Sequence, residues 1–192
     1  MTRAAKEGQP ETVTDGEIIG RICDGETRLF DELVRRYQDR VYGMTGRFVG
    51  HGADAEDLAQ EAFLKAFRGL EGFKGHARFS TWLYRITFNL CMDWLRRNRK
   101  PGRRTASIDA AAEVADGTVD LGKCLLAAEE RNEVRKAVDR LPERYRTVVI
   151  LLYYQELSYD QIGSVLDIPI KTVETRLYRA RQMLRKTLRD PG

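Results

Sequence analysis

Seven basic side chains (Lys171, Arg176, Arg179, Arg181, Arg185, Lys186 and Arg189) face two acidic ones (Glu174 and Asp190) between Lys171 and Asp190, a local excess of five positive charges. Cations at that density suit a polyphosphate backbone. Val173, Leu177 and Leu184 recur at helical spacing in the same segment and claim one face for a core. The opposite face then presents Lys171, Thr172, Thr175, Tyr178 and Arg179 near the helix start, where side chains reach base edges and free backbone N–H groups favour phosphate. A solvated charged helix would share this composition, so the residues upstream carry the distinction. LSYDQIGSVLDIPIKTVETRLYRARQMLRKTLR reads as a short helix with Ile162, Val165 and Leu166 inward, a turn at Asp167-Ile168-Pro169, and then the basic helix. That is the grammar of a DNA-binding helix-turn-helix, over about Tyr145 to Arg189.

Two further clusters bear chemistry. DAEDLAQEAF places Asp54, Glu56, Asp57 and Glu61 within eight residues, with Gln60 among them. Such a face repels DNA and suits a basic protein partner, and it is equally compatible with a solvated helix. Beyond a glycine-rich stretch come Phe73, Lys74, Arg78, Phe79, Trp82, Tyr84, Arg85, Phe88, Trp94, Arg96 and Arg97. Rings interleaved with cations bind unstacked bases and their backbone, although helical periodicity commits several of these rings to a core. No phosphate loop, metal-ligand cluster or organised Ser/His/Asp set is present, so no catalytic residue, metal or cofactor is expected. Cys23, Cys91 and Cys124 lie far apart without a CxxC pair, and His51 and His76 are the only histidines. These read as thiols of a reducing cytoplasm.

The elements that must position these groups read as helices throughout. With 192 residues, 42% of them hydrophobic, the chain holds one medium domain or two small helical ones. The formal charge of +4 is mild, so its clustering carries the information. No apolar run reaches the roughly 18 residues of a membrane span, and the first residues lack the apolar centre of a signal peptide. A soluble, cytoplasmic protein is expected.

Residues 1–13 are polar and predict a flexible tail. From Ile18 the periodicity predicts a short helix, a turn at Asp24-Gly25 and a long amphipathic helix through Phe48. VGHGADAED breaks it, with Asp54 as the expected N-cap of the acidic helix; Ser80 is the expected N-cap of the aromatic helix, which stops at Pro101-Gly102. Residues 101–122 lack an apolar stripe and predict a linker. Six basic residues before and at its start (Arg96, Arg97, Arg99, Lys100, Arg103, Arg104) precede four acidic ones within it (Asp109, Glu113, Asp116, Asp120). A second helical group starts near Lys123 and includes a helix with Pro142 just inside it. The expected fold class is all-α: two small helical domains, 14–100 and 123–192, joined by a flexible linker, the second a helix-turn-helix.

Taken in order, DAEDLAQEAFLKAF, FKG…FSTWLYRITFNLCMDWLRR, the linker, LPERYRTVVIL and LSYDQIGSVLDIPIKTVETRLYRARQMLR resemble the extracytoplasmic-function sigma factors of the bacterial sigma-70 family. The resemblance covers nearly all of the chain after Asp15, and TWLYRI…N together with TVxTRxxRAR is its most specific part. It implies sigma domain two for 14–100 and sigma domain four for 123–192, without the third domain of larger sigma factors. It also implies a function: binding core RNA polymerase, directing it to promoters and helping to melt DNA.

The resemblance gives each cluster an implied task. The acidic helix, through Asp54, Glu56, Asp57, Gln60 and Glu61, would dock on the β′ coiled coil of polymerase, and the second domain would meet the β flap. Gly69, Phe73, Ile86 and Asn89 match the pocket that captures a base flipped from the non-template strand of the minus-ten element. Lys74 to Arg78 match its loop, with Arg85 and Asp93 alongside. Capturing exposed bases offsets the few kcal/mol that unpairing costs. Lys171, Thr172, Glu174, Thr175, Tyr178 and Arg179 would read the minus-thirty-five element. Glu174 departs from the basic or small residue common at its position; a carboxylate there repels phosphate and accepts from a cytosine amino group. An anti-sigma factor is an implied partner. The alternative from the residues alone is a stand-alone helix-turn-helix regulator that binds duplex operator DNA.

Overall fold

The computed structural model describes residues 13–98 and 132–189. The tail expected over 1–12, the charge-reversing linker, the start of the second group at Lys123 and Cys124 lie outside the described residues. All described regular structure is helical: α1 (Asp15–Cys23), α2 (Phe30–Val49), α3 (Ala53–Gly69), α4 (Phe79–Asn98), α5 (132–139), α6 (Glu143–Tyr153), α7 (Tyr159–Leu166) and α8 (Ile170–Arg189), with single 3₁₀ turns at Thr27–Leu29 and Leu70–Gly72. The all-α expectation holds, with helices falling into the two expected groups.

Local sequence sets most boundaries. Thr14 caps α1 in a capping box: its hydroxyl accepts from Glu17 N at 3.3 Å while the Glu17 carboxylate accepts from Thr14 N at 2.7 Å. Ser158 and Gln161 repeat the device at α7. Three boundaries differ from expectation. The cap of α3 is Gly52 rather than Asp54: Gly52 adopts φ 129°, ψ −166°, and its carbonyl accepts from Ala55 and Glu56 N–H. Only glycine takes that backbone readily, so the helix opens before Asp54, whose carboxylate falls in the first turn where the helix dipole favours it. α4 begins at Phe79, one residue ahead of Ser80, because Phe79 is buried against Tyr37, Phe73 and Trp82 and Trp82 N–H already donates to Arg78 O at 3.2 Å. Pro142 is the cap of α6 rather than its first residue, its carbonyl accepting from Tyr145 and Arg146 N–H.

In the first group α2, α3 and α4 pack on one another, and α1 closes one end. Leu33, Val41, Met44, Leu83 and Tyr84 are fully buried there, and alanines at 55, 62 and 66 let α3 approach closely. Buried Thr45 joins α2 to α3 by donating to Ala55 O at 2.9 Å. Asp15 ties α1 to α2: it accepts from Arg36 at 3.0 Å and from the Tyr37 hydroxyl. Burial, reinforced by the Asp15 carboxylate, pushes the Tyr37 phenol well above its ordinary range, so it stays a donor. In the second group α6, α7 and α8 share a core of Val148, Leu151, Ile162, Val165, Val173 and Leu177. The two groups touch where α7 lies against α4.

Candidate nucleic-acid interface and docking surfaces

The turn that presents α8 is set by two residues. Asp167 closes α7 in the left-handed conformation, φ 56°, ψ 47°, a conformation that aspartate tolerates better than most residues. Gly163 lets the turn come close: a Cβ there would meet Ile168 O at 3.0 Å, while Ile168 N–H donates to Gly163 O at 3.0 Å. Val173, Leu177 and Ala180 then bury one face of α8, as expected for the first two; Leu184 is half-buried.

Lys171, Glu174, Thr175, Tyr178 and Arg179 are exposed and Thr172 is half-buried, with Tyr178 64% exposed. Lys171, Thr172, Thr175, Arg176 and Arg179 line an open groove of about 450 Å³ with Arg144 of α6. Thr175 is held by donating to Lys171 O at 2.8 Å. The first turn of α8 carries no acid, so its amide end and the flanking cations give one positive surface. Arg144 extends that surface and was not among the residues expected from sequence; its guanidinium lies 4.7 Å from the centre of the buried Tyr145 ring. Its signal was only a cation one helix away.

On α3 the buried stripe is Ala55, Leu58, Ala59, Ala62 and Ala66. Asp54, Glu56, Asp57 and Gln60 are exposed, and Glu61 is half-buried and pairs with Lys65 at 3.2 Å. Asp57, Gln60, Glu61 and Leu64 follow one another at i, i+3, i+4 and i+7, one side of the helix. Leu64 is 53% exposed, an apolar centre among carboxylates. Phe67 is 40% exposed, one edge resting on Phe30 at 5.0 Å. Leu64 was not among the residues expected from sequence, although its position relative to the alanine stripe puts it outside.

The segment between α3 and α4 is built on a ring cluster. Phe73 lies 5.1 Å from Trp82 and 6.0 Å from Phe79, and Trp82 lies 5.9 Å from Phe79. Gly69 sits beneath it, where a Cβ would come 3.3 Å from the Trp82 ring. Gly69, Phe73 and Trp82 are thus brought together. Ile86, Asn89 and Asp93 continue the Trp82 side of α4 at helical spacing, Ile86 half-buried and Asn89 exposed. Lys74 and Arg78 are exposed on the intervening loop, which Gly75 turns at φ 70°. Asp93 pairs with Arg96. Arg85 projects from the border of this side toward α7, where Asp167 stands 3.5 Å away. Most of the aromatic residues serve packing: Phe79 and Tyr84 are buried, and Phe88 meets Phe48 at 5.6 Å.

Cys91 is buried, and burial pushes its thiol up to about 12, so a nucleophilic thiolate is scarce at neutral pH. Cys23 is exposed. Among the described residues no helix is long and apolar enough to cross a membrane.

Comparison with known proteins agrees with this arrangement. Residues 33–100 match the family Sigma-70 region 2, and residues 131–184 match Sigma-70, region 4. The chain is 38% identical over 180 residues to the ECF RNA polymerase sigma factor SigW of Bacillus subtilis (strain 168), an alignment spanning 90% of this chain and 95% of the relative. It is 36% identical over 183 residues to the ECF RNA polymerase sigma-E factor of Escherichia coli (strain K12), spanning 91% and 94%. Its fold is similar to that of CnrH, solved in complex with the cytosolic domain of CnrY, with TM-score 0.65 and 25% identity over 89% of this chain and 94% of that one. With both sigma-70 regions matched in order and relatives aligned along nine tenths of its length, the chain belongs to the extracytoplasmic-function sigma factors.

Proposed function

We propose a division of labour for this sigma factor, a non-catalytic initiation subunit, among its three surfaces. Residues 14–100 act as sigma domain two, 101–122 as the linker and 123–192 as sigma domain four. The acidic side of α3, with Leu64 at its centre, docks on the β′ coiled coil of core RNA polymerase; domain four meets the β flap. The loop 73–78 and the Trp82 side of α4 capture the melted non-template strand of the minus-ten element: Phe73 and Ile86 cover base faces and Asn89 reads an edge. The start of α8 anchors the minus-thirty-five duplex. The observation that carries this reading is the segregation of charge by element: the acids cluster on α3 around an exposed leucine, and the cations cluster on the ring-lined loop and on the recognition helix.

The chemistry of each surface supports its assignment. Carboxylates around an exposed apolar residue disfavour a phosphate partner and suit a basic protein one. A side-chain amide on the helix side that carries Trp82 suits an extruded base, and helix-start cations suit a duplex. By its likeness to CnrH, which was solved in complex with the cytosolic domain of CnrY, this chain is assigned a protein partner, an anti-sigma factor, that covers the polymerase-docking surfaces.

The assignments predict that variants fail at different steps. Lys171→Ala and Arg179→Ala, in holoenzyme, each weaken the closed promoter complex about three- to tenfold and lower its salt slope by about one. Asn89→Ala leaves the closed complex intact and reduces strand opening, read by permanganate reactivity of unpaired thymines. Loss at the same step for all three variants would contradict the division.

A further inference from the structure

Tyr145 belongs to two surroundings at once. Its side chain is only 3% exposed and sits in the hydrophobic core, on the helix that packs against α8. It also lines the groove of about 450 Å³ at the start of α8, with Arg144 on its own helix and Lys171, Thr175 and Arg179 on the other. A phenol buried this far satisfies its hydroxyl with a hydrogen-bond partner. Here the partners are surface cations. Hydrogen bonding to the Arg179 guanidinium is the largest influence on the Tyr145 phenol and holds it below its ordinary range; the charges of Arg144 and Arg179 and a hydrogen bond to Arg144 act in the same direction. The Arg144 guanidinium lies 4.7 Å from the centre of the ring, and both arginines are otherwise exposed. Phenylalanine would fill the same core space, so the hydroxyl serves the groove rather than the packing.

We propose that Tyr145 is a positioning residue for promoter DNA: its hydroxyl fixes the guanidiniums of Arg179 on α8 and Arg144 on α6 along the groove, where each meets a phosphate of the duplex. This rests on the assignment of the start of α8 to the minus-thirty-five element, and it adds Arg144 to that surface. The physical reason is preorganisation. A free arginine side chain loses rotamer freedom when it binds, whereas one already anchored on a core hydroxyl loses less, and its planar fork has N–H groups left over for a phosphate. Holding two cations on one neutral oxygen also concentrates positive charge, which an arriving phosphate relieves.

The test measures closed complexes of holoenzyme on a promoter fragment across a salt series. Tyr145→Phe, which keeps the ring and removes no charge, is expected to weaken binding about three- to tenfold with the salt slope unchanged. Arg144→Ala is expected to lower the slope by about one, as Arg179→Ala does. The deciding comparison adds Tyr145→Phe to a variant that carries both Arg144→Ala and Arg179→Ala. With no guanidinium left to position, the added substitution should change affinity less than twofold. Equal loss from Tyr145→Phe in both backgrounds overturns the proposal, because the hydroxyl then acts on the fold and not through the arginines. Parental affinity of Tyr145→Phe alone also overturns it. Arg179→Lys, at an exposed position, probes the same contact without touching the core: it keeps the charge, loses the fork and should weaken binding at unchanged slope, and Tyr145→Phe added to it should cost less than in the parent. Parental affinity of the double arginine variant removes the start of α8 from the minus-thirty-five contact, a failure of the underlying assignment that takes the proposal with it.

Discussion

Replacing Asp57 and Glu61 together by lysine is expected to weaken binding to core RNA polymerase by about 100-fold, on the order of 2.7 kcal/mol. Both carboxylates lie on the side of α3 that carries Leu64, away from the buried alanine stripe. Their removal therefore leaves the core untouched, whereas lysine in their place sets like charge against a basic partner. The one local cost is the Glu61–Lys65 pair, an exposed contact at 3.2 Å worth only a few tenths of a kcal/mol. Leu64→Ala, an apolar truncation with no change in charge, should weaken the same complex by about tenfold. Competition for core polymerase against a labelled unrelated sigma factor measures both. Unchanged affinity in the double variant, with a normal melting temperature, would remove α3 from the polymerase interface.

Gly163→Val is expected to cost about 2–4 kcal/mol, enough to unfold the second helical group. A Cβ alone would approach the Ile168 carbonyl oxygen to 3.0 Å, and that oxygen belongs to backbone which cannot swing aside as a long side chain can. The turn is further tied down by Ile168 N–H donating to Gly163 O at 3.0 Å. Valine must therefore push α8 away from α7 or break the turn, and either removes the recognition helix from its place. Gly43→Ala is the contrast: Gly43 lies within α2 with nothing inside 4 Å of an added Cβ. There the substitution should stabilise by about 0.5–1 kcal/mol. Circular dichroism melts separate the two; equal effects would mean that the turn does not depend on the close approach at Gly163.

Much of this structure was legible in the residues. The apolar spacing of α2 and the Asp167-Ile168-Pro169 turn were read from sequence because they are local signals; the capping boxes at Thr14 and Ser158 are equally local but were not picked out. Boundaries slipped where tertiary burial or glycine geometry outweighed capping preference. Phe79 entered α4 ahead of Ser80 because its ring is needed in the core, and Gly52 displaced Asp54 because its backbone reaches a conformation aspartate avoids. The exposed Leu64 was readable in principle, from its place outside the alanine stripe, but was passed over. The ion pairs of Arg40 with Glu156 and Arg85 with Asp167 were not readable at all, because they join residues far apart in sequence through the docking of α7. Nothing in the sequence around Arg85 pointed to Asp167 as its neighbour.

The charge map, with acids clustered on α3 and cations on the ring-lined loop and α8, is what the proposed division of labour requires: one molecule holding a polymerase and two stretches of promoter at once. The direct measurement is transcription by purified core RNA polymerase on a genomic DNA library, with and without this protein, with 5′ ends mapped. The account predicts a discrete set of start sites that appear only with the protein, preceded by common sequence blocks near minus ten and minus thirty-five. Start sites identical to those of core enzyme alone would contradict it.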